Sequence, residues 1–328
     1  MFLRILKSNK AFNLILFPLI GVMLWLPGLI SPGTYPFAPG EDQSILFSPL
    51  MKLMAARPFL QVLIALVLMI VLAFTIQKVN SQYPFFRIRT LLPFNLLILL
   101  IGGLPALHSL HPVFFASIFF VFAIDRELAA FKKKSFYSNS FDTGLLIGMG
   151  SLFYTPLGFL FPVLMIGMWI VNPECNWRHL VLLFWGLILP WIFAFSCCFL
   201  AGSAGELPEL LEINLATSCN RLTGNVPLQI FTGFWGFLLV IGTLFSLSRL
   251  DERKISTRKY YTVFLILTFT LILFMVFAPF MSVEVLILVA VPSSFIISNA
   301  LLFFRNRILA DVVLALLTGL VIFMQIAG

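Results

Sequence analysis

The sequence predicts an all-α, polytopic integral membrane protein with about eleven membrane helices. Three observations predict it. Of 328 residues, 61% are hydrophobic and only 10% are charged, whereas soluble domains are nearer half apolar and a quarter charged. Apolar runs of roughly 20 residues, the length that crosses a hydrocarbon core, recur along the whole chain. Taking those runs as spans puts eighteen of the 21 lysines and arginines on one side, the asymmetry that retains cations at the cytoplasmic face. No polar stretch is longer than roughly 25 residues, too little for a soluble domain. Residues 1–328 therefore read as a single membrane-embedded domain.

The first apolar run, Ala11–Ile30, follows Arg4, Lys7 and Lys10. It is too long for a signal-peptide core and no small-residue cleavage site follows, so it reads as an uncleaved span. Further spans are read at 57–77, 91–109, 112–130, 179–200, 227–248, 260–280, 284–304 and 308–327. With the N-terminus inside, the inner loops carry Lys78, Arg87, Arg89, Arg126, Lys132, Lys133, Lys134, Arg178, Arg249, Arg253, Lys254, Arg258, Lys259, Arg305 and Arg307. The outer loops carry only Lys52, Arg57 and Arg221. The expected location is a bacterial inner membrane, N-terminus cytoplasmic and C-terminus periplasmic. Pro18, Pro27, Pro105, Pro190 and Pro292 fall within spans and predict kinks.

The segment 141–171 is different. It must start and end inside, because Lys134 and Arg178 flank it. Its halves, Phe141–Tyr154 and Leu157–Val171, are each about 21–23 Å long as helices, shorter than the core. Thr155-Pro156 breaks them. A turn at membrane depth must pack on protein, since its backbone groups find no partner in lipid. Gly144 and Gly148 form a small-residue face for close helix approach. The reading is a short-helix hairpin.

Two outer loops are substantial. In the first, turn residues and the acidic pair Glu41-Asp42 lead into Ile45, Leu46, Phe47, Leu50, Leu53 and Met54 at helical spacing, with Lys52 on the polar side. That pattern is a short helix lying in the interface. The second carries Glu206, Glu209 and Glu212 on one helical face.

Composition also excludes. The net charge of +8 is spread over short loops with no Lys/Arg run longer than Lys132–Lys134, so no nucleic-acid surface is expected. Four cysteines do not make a disulfide scaffold. A bridge from Cys197 or Cys198 to Cys219 and free small apolar thiols both remain open. No metal-ligand spacing, phosphate-binding loop, dinucleotide fingerprint or nucleophile elbow occurs, and no cofactor or metal is expected. Iron held by four histidines is excluded by a total of three.

The candidate chemistry lies outside and inside. Glu41 and Asp42 follow the first span, and His108 and His111 cap the third. A carboxylate beside a phosphate-linked lipid donor can act as general base, and a histidine can bond the phosphate or shuttle its proton. A solvated acidic turn with two interfacial imidazoles explains the same residues. Arg87 and Arg89, with Lys78, can bind an anionic lipid headgroup or simply anchor the inner loop. Asp125, Arg126 and Glu127 read as anchoring charges at the inner end of the fourth span. No carboxylate sits in the middle of a span, which argues against ion-driven transport.

The run Arg89-Thr90-Leu91-Leu92-Pro93, then His111-Pro112, FDTGLLIGMGSLFYTPLGFLF (141–161) and NWRHLVLLFWGLILPWIFAF (176–195) resembles an uncharacterised family of Bacteroidota inner-membrane proteins. The resemblance covers roughly residues 45–200. More distantly, the order of elements is similar to the membrane-embedded glycosyltransferases of the C superfamily: a first span, an outer loop with an acid and an interfacial helix, then a paired short-helix element. GLLIGMGSLFYTP is similar to their hairpin, with Tyr154 or Thr155 where a lysine is common. Three functions are expected in turn: an accessory or scaffold in envelope biogenesis, a glycosyltransferase using a polyprenyl-phosphate-linked donor on the outer face, and a lipid or solute transporter. Membrane lipids are the expected partners, and protein partners are not specified.

Overall fold

The computed structural model describes residues 11–37, 41–86, 88–202, 205–216, 225–249, 254–278, 283–304 and 307–327, all helix, turn or extended connection with no strand among them. Thirteen α-helices follow one another: α1 (Ala11–Ile30), α2 (Phe47–Met54), α3 (Pro58–Gln82), α4 (Leu92–Gly102), α5 (Pro112–Leu128), α6 (Tyr137–Phe153), α7 (Phe161–Val171), α8 (Trp177–Leu200), α9 (Glu206–Ala216), α10 (Val226–Ser248), α11 (Ile255–Phe277), α12 (Val285–Phe303) and α13 (Arg307–Ala327). Seven of them, α1, α3, α8 and α10 to α13, are long and apolar enough to cross a membrane. The other four expected membrane elements are the shorter helices α4 to α7. Following the charge distribution, the end of the bundle that carries loop 31–57 is termed the outer end.

Prolines start many of these helices. Pro58, Pro112 and Pro227 sit in first turns, where a missing N–H costs nothing. His111 and Asn225 accept from the second or third amide and close their helix ends. Pro18, Pro27, Pro190 and Pro292 lie inside helices, as expected.

Pro105 does not. The expected span 91–109 is helical only over Leu92–Gly102, then passes through Gly103 into a 3-10 turn at Pro105–Leu107. The cause is local. A side chain at Gly102 would collide with Leu24, and one at Gly103 with the Phe231 ring. Pro105 cannot supply the next helical hydrogen bond. All eleven residues of α4 are buried.

At the centre stands α12, 94% of whose apolar window is buried, against 17% for α8. Two of its serines donate to carbonyls one turn back in the same helix, Ser293 to Val289 and Ser298 to Ser294. Trp235 donates to Ser293, and Asn299 to Ser246, which couples α10 to α12. Phe85 packs among Tyr260, Tyr261, Phe264 and Phe295. On α8 the pattern inverts: Phe184, Trp185, Phe193, Phe195 and Phe199 are exposed. A soluble protein does not leave so continuous an apolar face in water.

The hairpin forms, with different proportions. Its first arm begins at Tyr137, four residues early, and runs 17 residues, about 25 Å. Tyr154 is extended, Thr155–Leu160 makes a 3-10 turn, and α7 returns. Asn172, after the return, donates to the carbonyls of Ala130 and Lys133, so the hairpin opens and closes at one level. Its tip reaches the end of the bundle that carries loop 31–57. The Leu46 amide donates to Leu152 O, which puts the tip against the start of the interfacial helix. Gly144 and Gly148 do serve close approach, and their partner is α8: side chains there would overlap the backbone at Leu183 and Leu187. Gly186 makes the reciprocal approach to Phe141.

The inner-end charges separate. Asp125 accepts from Tyr83 Oη, whose own proton burial and this carboxylate make hard to lose. Arg126 is exposed, and Glu127 is fully buried with Gly167 leaving room for its carboxyl. Anchoring at the surface therefore fails for Glu127, because the hairpin arm α7 covers it. Arg87, Cys219 and Arg221 lie outside the described residues.

Candidate functional site

Four chain segments meet at the outer end: the first loop, the α4–α5 connection, the hairpin tip and the start of α12. Their polar groups form one sealed cluster. Glu41 Oε1 lies 3.0 Å from His111 Nε2, with side chains 10% and 0% exposed. The Val113 amide donates to His111 Nδ1 at 3.2 Å. A nitrogen that accepts carries no hydrogen, so Nε2 holds it and donates to Glu41. Tyr35 stands edge-on to the imidazole and Phe37 stacks on it. Tyr154, from the hairpin tip, faces the same ring and donates to Glu284 Oε1 at 3.2 Å. Both are buried.

Local sequence explains each placement. His111 caps α5 just before Pro112. Tyr154 is where the first hairpin arm leaves helical geometry. Glu284 directly precedes α12, where a carboxylate favours the positive helix start. Burying such groups is tolerable only because they meet partners.

Asp42 goes elsewhere. It lines a cavity of about 660 Å³ with Ser44, Ser48, Lys52, Cys198 and Leu210, among others. A small recess runs on from Ser44 and Ile45 to Thr155, Trp191 and Asn214. The interfacial helix α2 forms one wall and the outer parts of α8 and α9 the other. The tight turn between α2 and α3 is held by Gln61, whose amide donates to the Met54 carbonyl. Trp191 donates to Ser151 and fixes α8 on the hairpin.

Of the residues predicted from sequence, then, Glu41 and His111 come together and Asp42 lies next to them in a separate space. His108 does not join them. It stacks on Trp25 at 3.9 Å and is 5% exposed. It lies in the connection between α4 and α5, where burial holds its imidazole at about 4, below the ordinary value. Arg89 lies at the opposite end of the bundle, exposed, on the wall of a second cavity.

Sequence reasoning missed Tyr154 and Glu284 as site residues. Tyr154 stood out only as a departure from a lysine pattern. Glu284 had a usable signal: it is the one charge between Phe277 and Phe304.

These features define a membrane-embedded helical protein with a sealed polar centre and an open amphipathic cavity side by side near one face. The chain belongs to a family of unknown function (DUF6427), matched over residues 51–327. The match takes in His108, His111, Tyr154 and Glu284 and begins after Glu41 and Asp42. No curated protein and no solved structure matches the chain.

Proposed function

We propose that this protein is a group transferase of the inner membrane that acts at the outer face on a polyprenyl-phosphate-linked sugar donor, with Asp42 as general base. The observation that carries this reading is the cavity under the interfacial helix, where Asp42 and Lys52 line one space with hydroxyls and apolar side chains. A phosphate-linked lipid needs that combination: a cation for the phosphate, apolar wall for the chain, and a carboxylate for the acceptor.

In the reaction, the acceptor hydroxyl gives its proton to Asp42 as its oxygen bonds to the sugar carbon. The bond from that carbon to the phosphate oxygen breaks, and polyprenyl phosphate leaves with the electron pair. The Lys52 ammonium offsets the charge that grows on the leaving phosphate. Ile45, Met51 and Leu210 take the first units of the chain. Glu41, bound to His111, is a positioning residue: it pins the turn that presents Asp42.

The test is Asp42→Asn in the native cell. Expected is loss of a surface glycan with normal membrane levels of the protein. An unchanged glycan profile at normal protein levels overturns the transferase and leaves the scaffold or transporter. In purified protein with Cys175, Cys197 and Cys219 replaced by serine, a polyprenyl phosphate should slow maleimide labelling of Cys198, which lines the cavity.

A further inference from the structure

At the inner end, where α3 runs out, the loop to α4 borders an open cavity of about 420 Å³. Its wall is made by Gln77, Asn80, Ser81, Gln82, Arg89 and Thr90, with Tyr83 and apolar Pro84, Phe86 and Ile88 at its edge. None of these lining residues is acidic. Asp125, which meets the loop through Tyr83, is turned to Tyr83 and Lys78.

The loop does not collapse into this space because three helices hold it. Tyr83 Oη donates to Asp125, at the carboxylate and the carbonyl, on α5. Thr257 on α11 donates to Pro84 O at 2.7 Å. Asn80 on α3 donates to Thr90 O at 2.7 Å. The Thr90 hydroxyl in turn accepts from the Leu92 amide and starts α4. A donor-rich recess whose described lining carries one guanidinium and no carboxylate is complementary to an anion. Guanidinium forks match phosphate oxygens in particular. Ile88, 44% exposed, puts apolar surface at the rim, where a lipid chain would run.

We propose that this cavity binds the phosphate of an anionic lipid headgroup, with Arg89 as the cation and the Gln77 and Gln82 amides as added donors. The site is independent of the transferase reading and lies at the other end of the bundle.

The experiment uses the full chain in mixed micelles with equal phosphatidylglycerol and phosphatidylcholine, reading retained lipid by native mass spectrometry. Phosphatidylglycerol should be retained preferentially. Arg89→Gln should weaken that preference by about fivefold, the worth of one basic contact to an anionic surface. Gln77→Glu is a second arm: it keeps the oxygen that accepts from Asn80, places a negative charge in the cavity, and should weaken retention at least as much. Equal retention of the two lipids, or unchanged retention in both folded variants, overturns the proposal. A third arm adds inorganic phosphate at millimolar concentration. No displacement supports a lipid headgroup, and full displacement overturns the lipid in favour of free phosphate.

Discussion

Glu41 and Asp42 are neighbours in the chain and face different surroundings. Glu41 is sealed against His111 beneath Tyr35 and Phe37, while Asp42 faces an open cavity with Lys52. The difference separates two kinds of polar group in a membrane protein. A buried pair with satisfied partners holds segments in register. A partly exposed carboxylate on the wall of a cavity that also holds a cation is open to an incoming molecule. The same contrast divides the sealed outer cluster from the open inner cavity around Arg89.

Experiments can break that comparison, taken from the largest expected effect on stability to the smallest. Glu41→Ala leaves the buried His111 donor unanswered and should cost about 2–3 kcal/mol, read as lowered thermal unfolding in detergent. A loss no larger than that of Asp42→Ala would show that the pair is not sealed.

His108 supplies a pH test. Its value is 6.5 when unperturbed and about 4 in the folded chain. Between those values the unfolded chain holds a proton that the folded chain does not. Stability is therefore full above about pH 6.5 and is lost as pH falls towards 4, by on the order of 3 kcal/mol. His108→Phe keeps a ring on Trp25 and should flatten this part of the profile relative to the parent. An identical slope would mean that the imidazole is not buried as described.

Gly144→Leu forces α6 away from α8 and should cost about 2 kcal/mol, with Trp191 fluorescence shifting as its bond to Ser151 breaks. Tyr154→Phe removes one hydrogen bond to Glu284, worth about 1.5 kcal/mol. Asp42→Asn should change stability by less than about 0.5 kcal/mol while abolishing transfer. If Asp42→Asn destabilises as Glu41→Ala does, the distinction between the two acids disappears.

Much of the fold was legible because lipid imposes simple rules. Length and apolarity gave the seven long helices, and Thr155-Pro156 gave the hairpin break. The misreadings share a cause. Span 91–109 looked continuous because its residues are apolar, and only Leu24 and Phe231 packing on Gly102 and Gly103 shows why it ends. Glu127 looked like a surface anchor because nothing in its own helix shows that α7 covers it. At the site, Glu41, Asp42 and His111 were legible as rare polar residues near span ends. Their sorting into a sealed pair and an open acid was not, and neither was the pairing of Tyr154 with Glu284, 130 positions apart.

What the sequence alone determined is the run of long apolar helices suited to a membrane, since it follows from local composition and the cost of placing charge or bare backbone in lipid. Tertiary structure decided which helix is central, where the hairpin tip rests and which acid is buried. Those depend on contacts between distant segments, and hydropathy is blind to them: α8 and α12 are almost equally apolar, yet one faces outward and the other is enclosed.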